Sequence, residues 1–422
     1  MRRRSATCAA NTAHIDLSDI LVGGGGSLIP TTKVDIASIA EKKRTAERIA
    51  IALLERDGIL IIGHRNPDED CVASMVAFGL LASKLNKRAY VFICDGVHEQ
   101  FSYLLKICAH NSIGILCDRD ELPPSIQVVV AMDTPKPGML DESEAVKRVT
   151  SDPSVLRIEI DHHLGTDASY FGDEGYRLVT TASSASELVG YLAIKMDGDP
   201  RFEPTEASDG FLTRNLVLAV LTGIIADSRM GKYLQSKRER WFYERFSSIF
   251  DRLLAQTTNA GSGNFASKEE VFEAIVTLSA EEEECYRTMM RFRGSLDALD
   301  YVIIPAEEVD AMRKRYGDET TASMAKAVAD SLAEEGGAMG LVAYPDSPSV
   351  SNFLQFRLRR SHSYREIDLR TMIAALGATN GGGHPGAVGF RFEKSVAPDF
   401  EAFALSIARK IDAIAAGGPP AS

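Results

Sequence analysis

The sequence lacks the covalent devices that hold many small or secreted folds together. Its six cysteines (Cys8, Cys71, Cys94, Cys108, Cys117 and Cys285) include no Cys-x-x-Cys pair, which argues against a disulfide framework and a cysteine-built zinc site, and fits a reducing cytoplasm. Long apolar runs are missing too. The longest, such as 216–225, are too short and interrupted to cross a bilayer, so no membrane partner is expected. No apolar segment follows Met1-Arg2-Arg3-Arg4; a glycine run at 23–26 comes instead, so residues 1–33 read as a disordered tail rather than a secretory signal. Positive charge is in deficit, with a net charge of −12. That disfavours a grip on long nucleic acid by neutralising many phosphates, which needs a basic face. A small anionic substrate held through metal ions remains compatible, because metal charge is not counted in the sequence sum.

What is present is an ordinary soluble composition, 45% apolar and 25% charged over 422 residues. That length is too great for one core, so two domains and a tail are expected. Residues 34–57 carry apolar positions at helical spacing, Gly58 stops that helix, and Ile59-Leu60-Ile61-Ile62 follows as a strand. A helix over 71–85, a strand over 89–94, and strands over 127–132 and 156–160 continue the alternation. Continuous β-branched runs such as 127–132 are the pattern of strands buried on both faces, which predicts an α/β fold with a doubly wound, mostly parallel sheet over 34–232. Residues 233–299 turn charged and helical, with a run of four glutamates (281–284) and a Gly/Ser/Asn stretch at 258–264. These read as a helical connector with a flexible loop, since a block of like charge is usually a solvated face. A second, smaller α/β pattern occupies 300–422. No internal repeat is visible.

Four acidic motifs stand at the expected ends of strands or helices: His64-Arg65-Asn66-Pro67-Asp68-Glu69-Asp70, the run to Asp133, Asp161-His162-His163, and the run to Asp227. Each alone has a bland reading. An acidic turn can simply cap a helix, Asp133-Thr134-Pro135 can be only a turn, and paired histidines can be satisfied structural groups. Ligands of doubly wound sheets lie beyond the strand carboxyl ends, and three of the four motifs follow strands. Near the C-terminus, Asn380-Gly381-Gly382-Gly383-His384 offers backbone amides that a ligand can approach closely, with an imidazole beside them.

Taken in order, these motifs resemble those of the DHH family of phosphoesterases over about residues 59–227. Gly381-Gly382-Gly383-His384 resembles the glycine-histidine element of the DHHA1 substrate-binding domain that pairs with it. Carried over, the resemblance implies one metal held by His64, Asp68 and Asp133 and a second held by Asp70, Asp133, His162 and Asp227. Hard oxygen donors with a few imidazoles suit Mn²⁺ or Mg²⁺, and two such ions can activate water for attack on phosphorus. The same resemblance implies Asp161 as the group that orients His162, His163 as the phosphate contact or acid, and Arg360, Ser361, Gly381, Gly382, Gly383 and His384 as substrate contacts. Glu69, where many members carry glycine, and Val388, in place of alanine, depart from the pattern.

The expected function is metal-dependent hydrolysis of short oligonucleotides or of 3'-phosphoadenosine 5'-phosphate, since members of similar size and pairing act on these. Alternatives are a cyclic or linear dinucleotide phosphodiesterase, a pyrophosphatase or polyphosphatase, and a non-catalytic nucleotide-sensing module. Asp133-Thr134-Pro135-Lys136 lacks the second motif of the pyrophosphatases. The charged central helices are candidates for a homodimer contact.

Overall fold

The structure, a computed structural model, describes residues 32–416 apart from 95, 96, 98, 118–121, 124, 142, 205–209, 258–264, 349–350 and 379. Most of the expected tail and the Gly/Ser/Asn loop at 258–264 lie outside the described residues. The last two tail residues do not conform to that expectation: Thr32–Lys33 form a strand (β1), because Lys33 finds buried carboxylates and its backbone pairs with a later strand.

After β1 the chain runs through α1 (Ile39–Glu55), β2 (Ile59–Ile62), α2 (Glu69–Lys84), β3 (Ala89–Phe92), α3 (Tyr103–His110), β4 (Gly114–Leu116), β5 (Val128–Met132), α4 (Glu144–Thr150), β6 (Leu156–Asp161), β7 (Gly165–Ser169), β8 (Arg177–Val179), α5 (Ala185–Asp197) and α6 (Arg214–Ser228). Six of these strands form one parallel sheet in the order β4-β3-β2-β5-β6-β8. β7 pairs instead with β1. Every residue of β2 and β5 is buried, because both sheet faces are covered: Ile59, Ile61, Val128 and Val130 pack with α2 and α6, while Leu60, Ile62, Val129 and Ala131 pack with Leu140 and Val146. The chain winds outward in both directions from the adjacent pair β2 and β5. The crevice at their carboxyl ends is therefore the place where a ligand site is expected.

Three helices follow, α7 (Lys237–Thr257), α8 (Lys268–Val276) and α9 (Ala280–Met290), and then β9 (Arg293–Ser295), β10 (Leu299–Ile303), α10 (Ala306–Gly336), β11 (Met339–Pro345), β12 (Phe353–Arg360), α11 (Leu369–Ala375), β13 (Asn380–His384), β14 (Ala387–Glu393) and α12 (Phe400–Ala415). The second sheet is mixed, in the order β13-β14-β12-β11-β10-β9, with β10 and β11 its parallel pair. One face buries Leu341, Phe356, Leu358 and Phe390 against α11 and α12, and the other packs Val302, Val342 and Tyr344 with α10. α10 breaks at Gly317, whose φ of +83° is open to glycine without a Cβ penalty. The two sheets meet through Arg229–Asp330 (2.6 Å), Tyr233 Oη donating to Glu334 (2.8 Å) and Arg365 donating to the Lys232 carbonyl (2.6 Å).

Candidate metal centre

Strand ends supply half of the site. β2 delivers His64, β5 delivers Asp133 and β6 delivers Asp161, His162 and His163. Asp133 leaves its strand with φ of +46°, a left-handed conformation that aspartate tolerates better than most side chains. Its N–H donates to the Ile160 carbonyl (3.0 Å), which ties the ends of β5 and β6 together.

Helix ends supply the rest. Asp68 caps α2, its Oδ1 accepting from Cys71 N–H (3.3 Å), while Asp70 turns inward and is 1% exposed. The Asp70 carboxylate accepts from the Ala185 and Ser186 N–H groups (2.6 and 3.0 Å) at the start of α5, where free donors and the helix dipole favour an anion. α6 can pass beside this arrangement because residue 223 is glycine. A Cβ there would fall 2.1 Å from Ser186 Oγ and 2.2 Å from Asp70 Oδ1. One turn later α6 presents Asp227.

These side chains converge on His162. Its Nε2 stands 3.1 Å from Asp133 Oδ1, 3.6 Å from Asp227 Oδ2 and 3.9 Å from Asp70 Oδ2. His64, Cys71 and Asp133 form an adjacent group whose ligand atoms lie within 4.8 Å of one another, as do those of Asp133, Asp161 and His163. From the second sheet, His384 lays its ring 4.8 Å from that of His162 and 5.3 Å from that of His163. His162, His163 and His384 thus form a fourth imidazole-bearing group among the described residues, built from both sheets.

Burial first, and then the Asp133 carboxylate, pushes Asp70 up to about 7. Burial and then Asp70 push Asp227 well above the ordinary carboxylate range. Against the opposing effect of burial, Asp133 raises His162 well above its ordinary value, and burial with the His162 charge lowers His384 well below it. Crowded carboxylates that resist losing their protons are short of positive charge. Asp133 Oδ1 is also buried without a well-directed hydrogen bond, although His162 Nε2 is 3.1 Å away. Oxygen and imidazole donors, an orphaned buried oxygen and unneutralised negative charge fit divalent cations.

Asp70, Asp133, His162 and Asp227 are brought together, and Asp133 touches both halves of the cluster. Asp68 is 3.7 Å from His64 Nε2 but stays in its capping position, with its side chain 41% exposed. Against burial, the His64 hydrogen bond and charge hold Asp68 below the usual carboxylate range. In the corner expected of Asp68 stands Cys71, a residue the sequence reading passed over.

Asp161 orients a different ring from the one expected. Its Oδ1 meets His163 Nδ1 at 2.8 Å, while His162 contributes only its backbone N–H (2.9 Å) and turns its own Nδ1 toward the Ala182 carbonyl (3.3 Å). The reason is geometric: consecutive side chains leaving a strand diverge, so Asp161 meets the ring two residues on. The other Asp161 oxygen pairs with Lys33 Nζ at 2.6 Å. Lys33 Nζ also reaches Glu159 (2.8 Å) and the Thr134 carbonyl (2.6 Å), and its side chain has no exposed surface. Against burial, His163 and Lys33 hold Asp161 far below the carboxylate range.

The glycine-histidine element forms β13, paired with β14. Arg357 and Arg359 share the β12 face that looks toward α10, and Arg359 Nε lies 3.2 Å from Asp330. The guanidinium of Arg357 lies over Gly389, where a Cβ would fall 2.4 Å from its Nη1. Arg360 is on the opposite face, donating to the Tyr364 carbonyl (3.0 Å), and Ser361 Oγ pairs with Ser363 Oγ (2.7 Å). Of the arginines here, it is Arg359 whose charge acts on His384. Alternation along Phe356-Arg357-Leu358-Arg359 carried that signal.

Residues 58–224 match the family model described as DHH family, N-terminal domain. An uncharacterized protein of Methanocaldococcus jannaschii is 29% identical over 192 residues, which is 44% of this chain and 49% of that one, so the chain spans about half the length of this curated relative. Among solved structures, an exopolyphosphatase-related protein from Bacteroides fragilis shares the two-domain α/β fold, with a TM-score of 0.61 at 18% identity over 89% of this chain and 98% of that one.

Proposed function

We propose, for a chain that belongs to the DHH family through its residues 58–224, that it is a metal-dependent phosphoesterase acting on short phosphorylated nucleotides. The observation that carries this reading is the convergence of Asp70, Asp133, His162 and Asp227 at the ends of the first sheet with His384 of the second. His64, Asp70, Asp133, His162 and Asp227 would hold divalent cations, Mn²⁺ or Mg²⁺, which when bound lower the pKa of water and neutralise charge developing on phosphoryl oxygens.

The chain's own groups do the remaining work. Asp161, fixed by Lys33, holds His163 Nδ1 and sets the ring so that Nε2 can donate a proton to a leaving oxygen. His384, kept neutral by its surroundings, lies against the two histidines from the second sheet. Arg357 and Arg359 supply positive charge on the sheet face beside it, where the glycines of β13 and β14 leave the backbone bare. A net charge of −12 favours short substrates over long strands.

The test is a panel of short RNAs, linear and cyclic dinucleotides, 3'-phosphoadenosine 5'-phosphate and pyrophosphate, incubated with Mn²⁺-loaded protein. Short RNAs or the phosphoadenosine are expected to be hydrolysed. Bound metal without product from any compound would overturn the catalytic reading.

A further inference from the structure

Cys71 is fully buried in the first turn of α2, the third residue after its cap. Its sulfur presses against the end of β2: a Cβ on Gly63 would sit 2.3 Å from Sγ, so glycine at 63 is what lets the thiol reach the strand-end crevice. There it joins His64 and Asp133, with all three ligand atoms within 4.8 Å of one another and each from a different element or strand end. His64 Nδ1 donates to the Arg65 carbonyl at 2.8 Å, which leaves Nε2 as the nitrogen that would meet a cation, the cation taking the place of its proton. Asp133 is 3% exposed and carries an oxygen without a well-directed partner. A thiol among aliphatic side chains would be ordinary packing; a thiol sharing a corner with an imidazole and a carboxylate is a mixed donor set.

The geometry points to Cys71 Sγ as a ligand in one metal position, together with His64 and Asp133, so that this position takes a borderline divalent cation such as Zn²⁺ or Co²⁺ in preference to Mg²⁺. This deepens the metal-centre reading and rests on it. The two positions then differ in chemistry. Asp70, His162 and Asp227 offer oxygen and nitrogen, whereas the His64 corner adds a soft sulfur, which selects against hard, strongly hydrated ions. On binding, a sulfur–metal bond forms and the thiol proton is released to solvent. Burial pushes the free thiol up to about 11, so the charge of a bound cation would have to displace this proton.

The full chain, stripped of metal, is titrated with Co²⁺ while its absorption spectrum is followed. The expected result is a near-ultraviolet sulfur-to-cobalt charge-transfer band that grows with one equivalent and is displaced by Zn²⁺. In Cys71→Ser and Cys71→Ala the band is lost, and affinity at one position falls by at least about tenfold, with unchanged circular dichroism. Cobalt bound to the natural protein without the band, or a band that survives both substitutions, would overturn the sulfur ligand while leaving the metal centre standing. Failure to bind any cobalt would overturn both.

Discussion

Replacing Lys33 with methionine keeps the length of a fully buried side chain and removes its charge from between Glu159 and Asp161. Taking one partner from a buried ion pair costs about 3–5 kcal/mol, because the remaining charge is left uncompensated. Here the lower end applies. Asp161 keeps His163 Nδ1 and the His162 N–H, and Glu159 keeps the Phe171 and Gly172 N–H groups at 3.1 and 3.0 Å. About 3 kcal/mol in a unit of this size corresponds to a fall in Tm of roughly 6–12 °C. The assay is calorimetric unfolding of the chelator-treated protein at neutral pH. The sign with pH is also fixed. Asp161 and Glu159 outweigh burial and raise the Lys33 pKa above its ordinary value, so this stabilisation is fully present below about pH 10.5 and is lost as pH rises through the folded pKa. Natural protein and Lys33→Met should therefore converge in strongly alkaline solution. A Tm loss under about 2 °C at neutral pH would refute the ion-pair reasoning.

Asp133→Asn, measured by metal content and turnover, should lose bound metal and more than the roughly 100-fold in activity that an outer partner typically costs; near-normal turnover would contradict its bridging place. His163→Gln should lower turnover by about 10²–10⁴-fold with metal content unchanged, so a parallel loss of metal would remove it from the proton-donor role. Chelation should lower Tm, and restoring a divalent ion at 100 times its Kd should return about 2.7 kcal/mol, read by the same calorimetry. Arg359→Ala should raise KM by tenfold or more, whereas Arg360→Ala should mainly lower Tm; the reverse pattern would return the substrate contact to Arg360.

The parallel sheet was legible because β2 and β5 are apolar without alternation, a pattern imposed by cover on both faces; β6 alternates instead, with Leu156, Ile158 and Ile160 as its apolar positions. The placement of Asp133, Asp161 and His162 at strand ends followed from the same reading. What sequence concealed was partnership across distance. Nothing local marks Lys33 as the counter-charge of a carboxylate 128 residues away. Cys71 looked like one more small residue on a buried helix face, since only the Gly63 contact shows where its sulfur points. Alternation along β12 sets Arg359 and Arg360 on opposite faces, Arg359 toward Asp330 and Arg360 toward the Tyr364 carbonyl, partners that nothing in the local sequence marks. The glycines of 381–383 carry no strand pattern of their own, and cross-strand pairing with β14 is what makes them a strand.

Asp133 carries its carboxylate on a backbone with φ of +46°, and this shapes what mutagenesis of the centre can report. Alanine at that position would add backbone strain to the loss of the carboxylate, mixing a folding defect with a chemical one. Asparagine, which accepts the left-handed conformation readily, changes charge and donor type while sparing the turn. The same geometry biases variation at residue 133: most side chains would carry a backbone penalty of about 1–2 kcal/mol before any loss of the carboxylate is counted, so a screen at this centre reads shape and chemistry together.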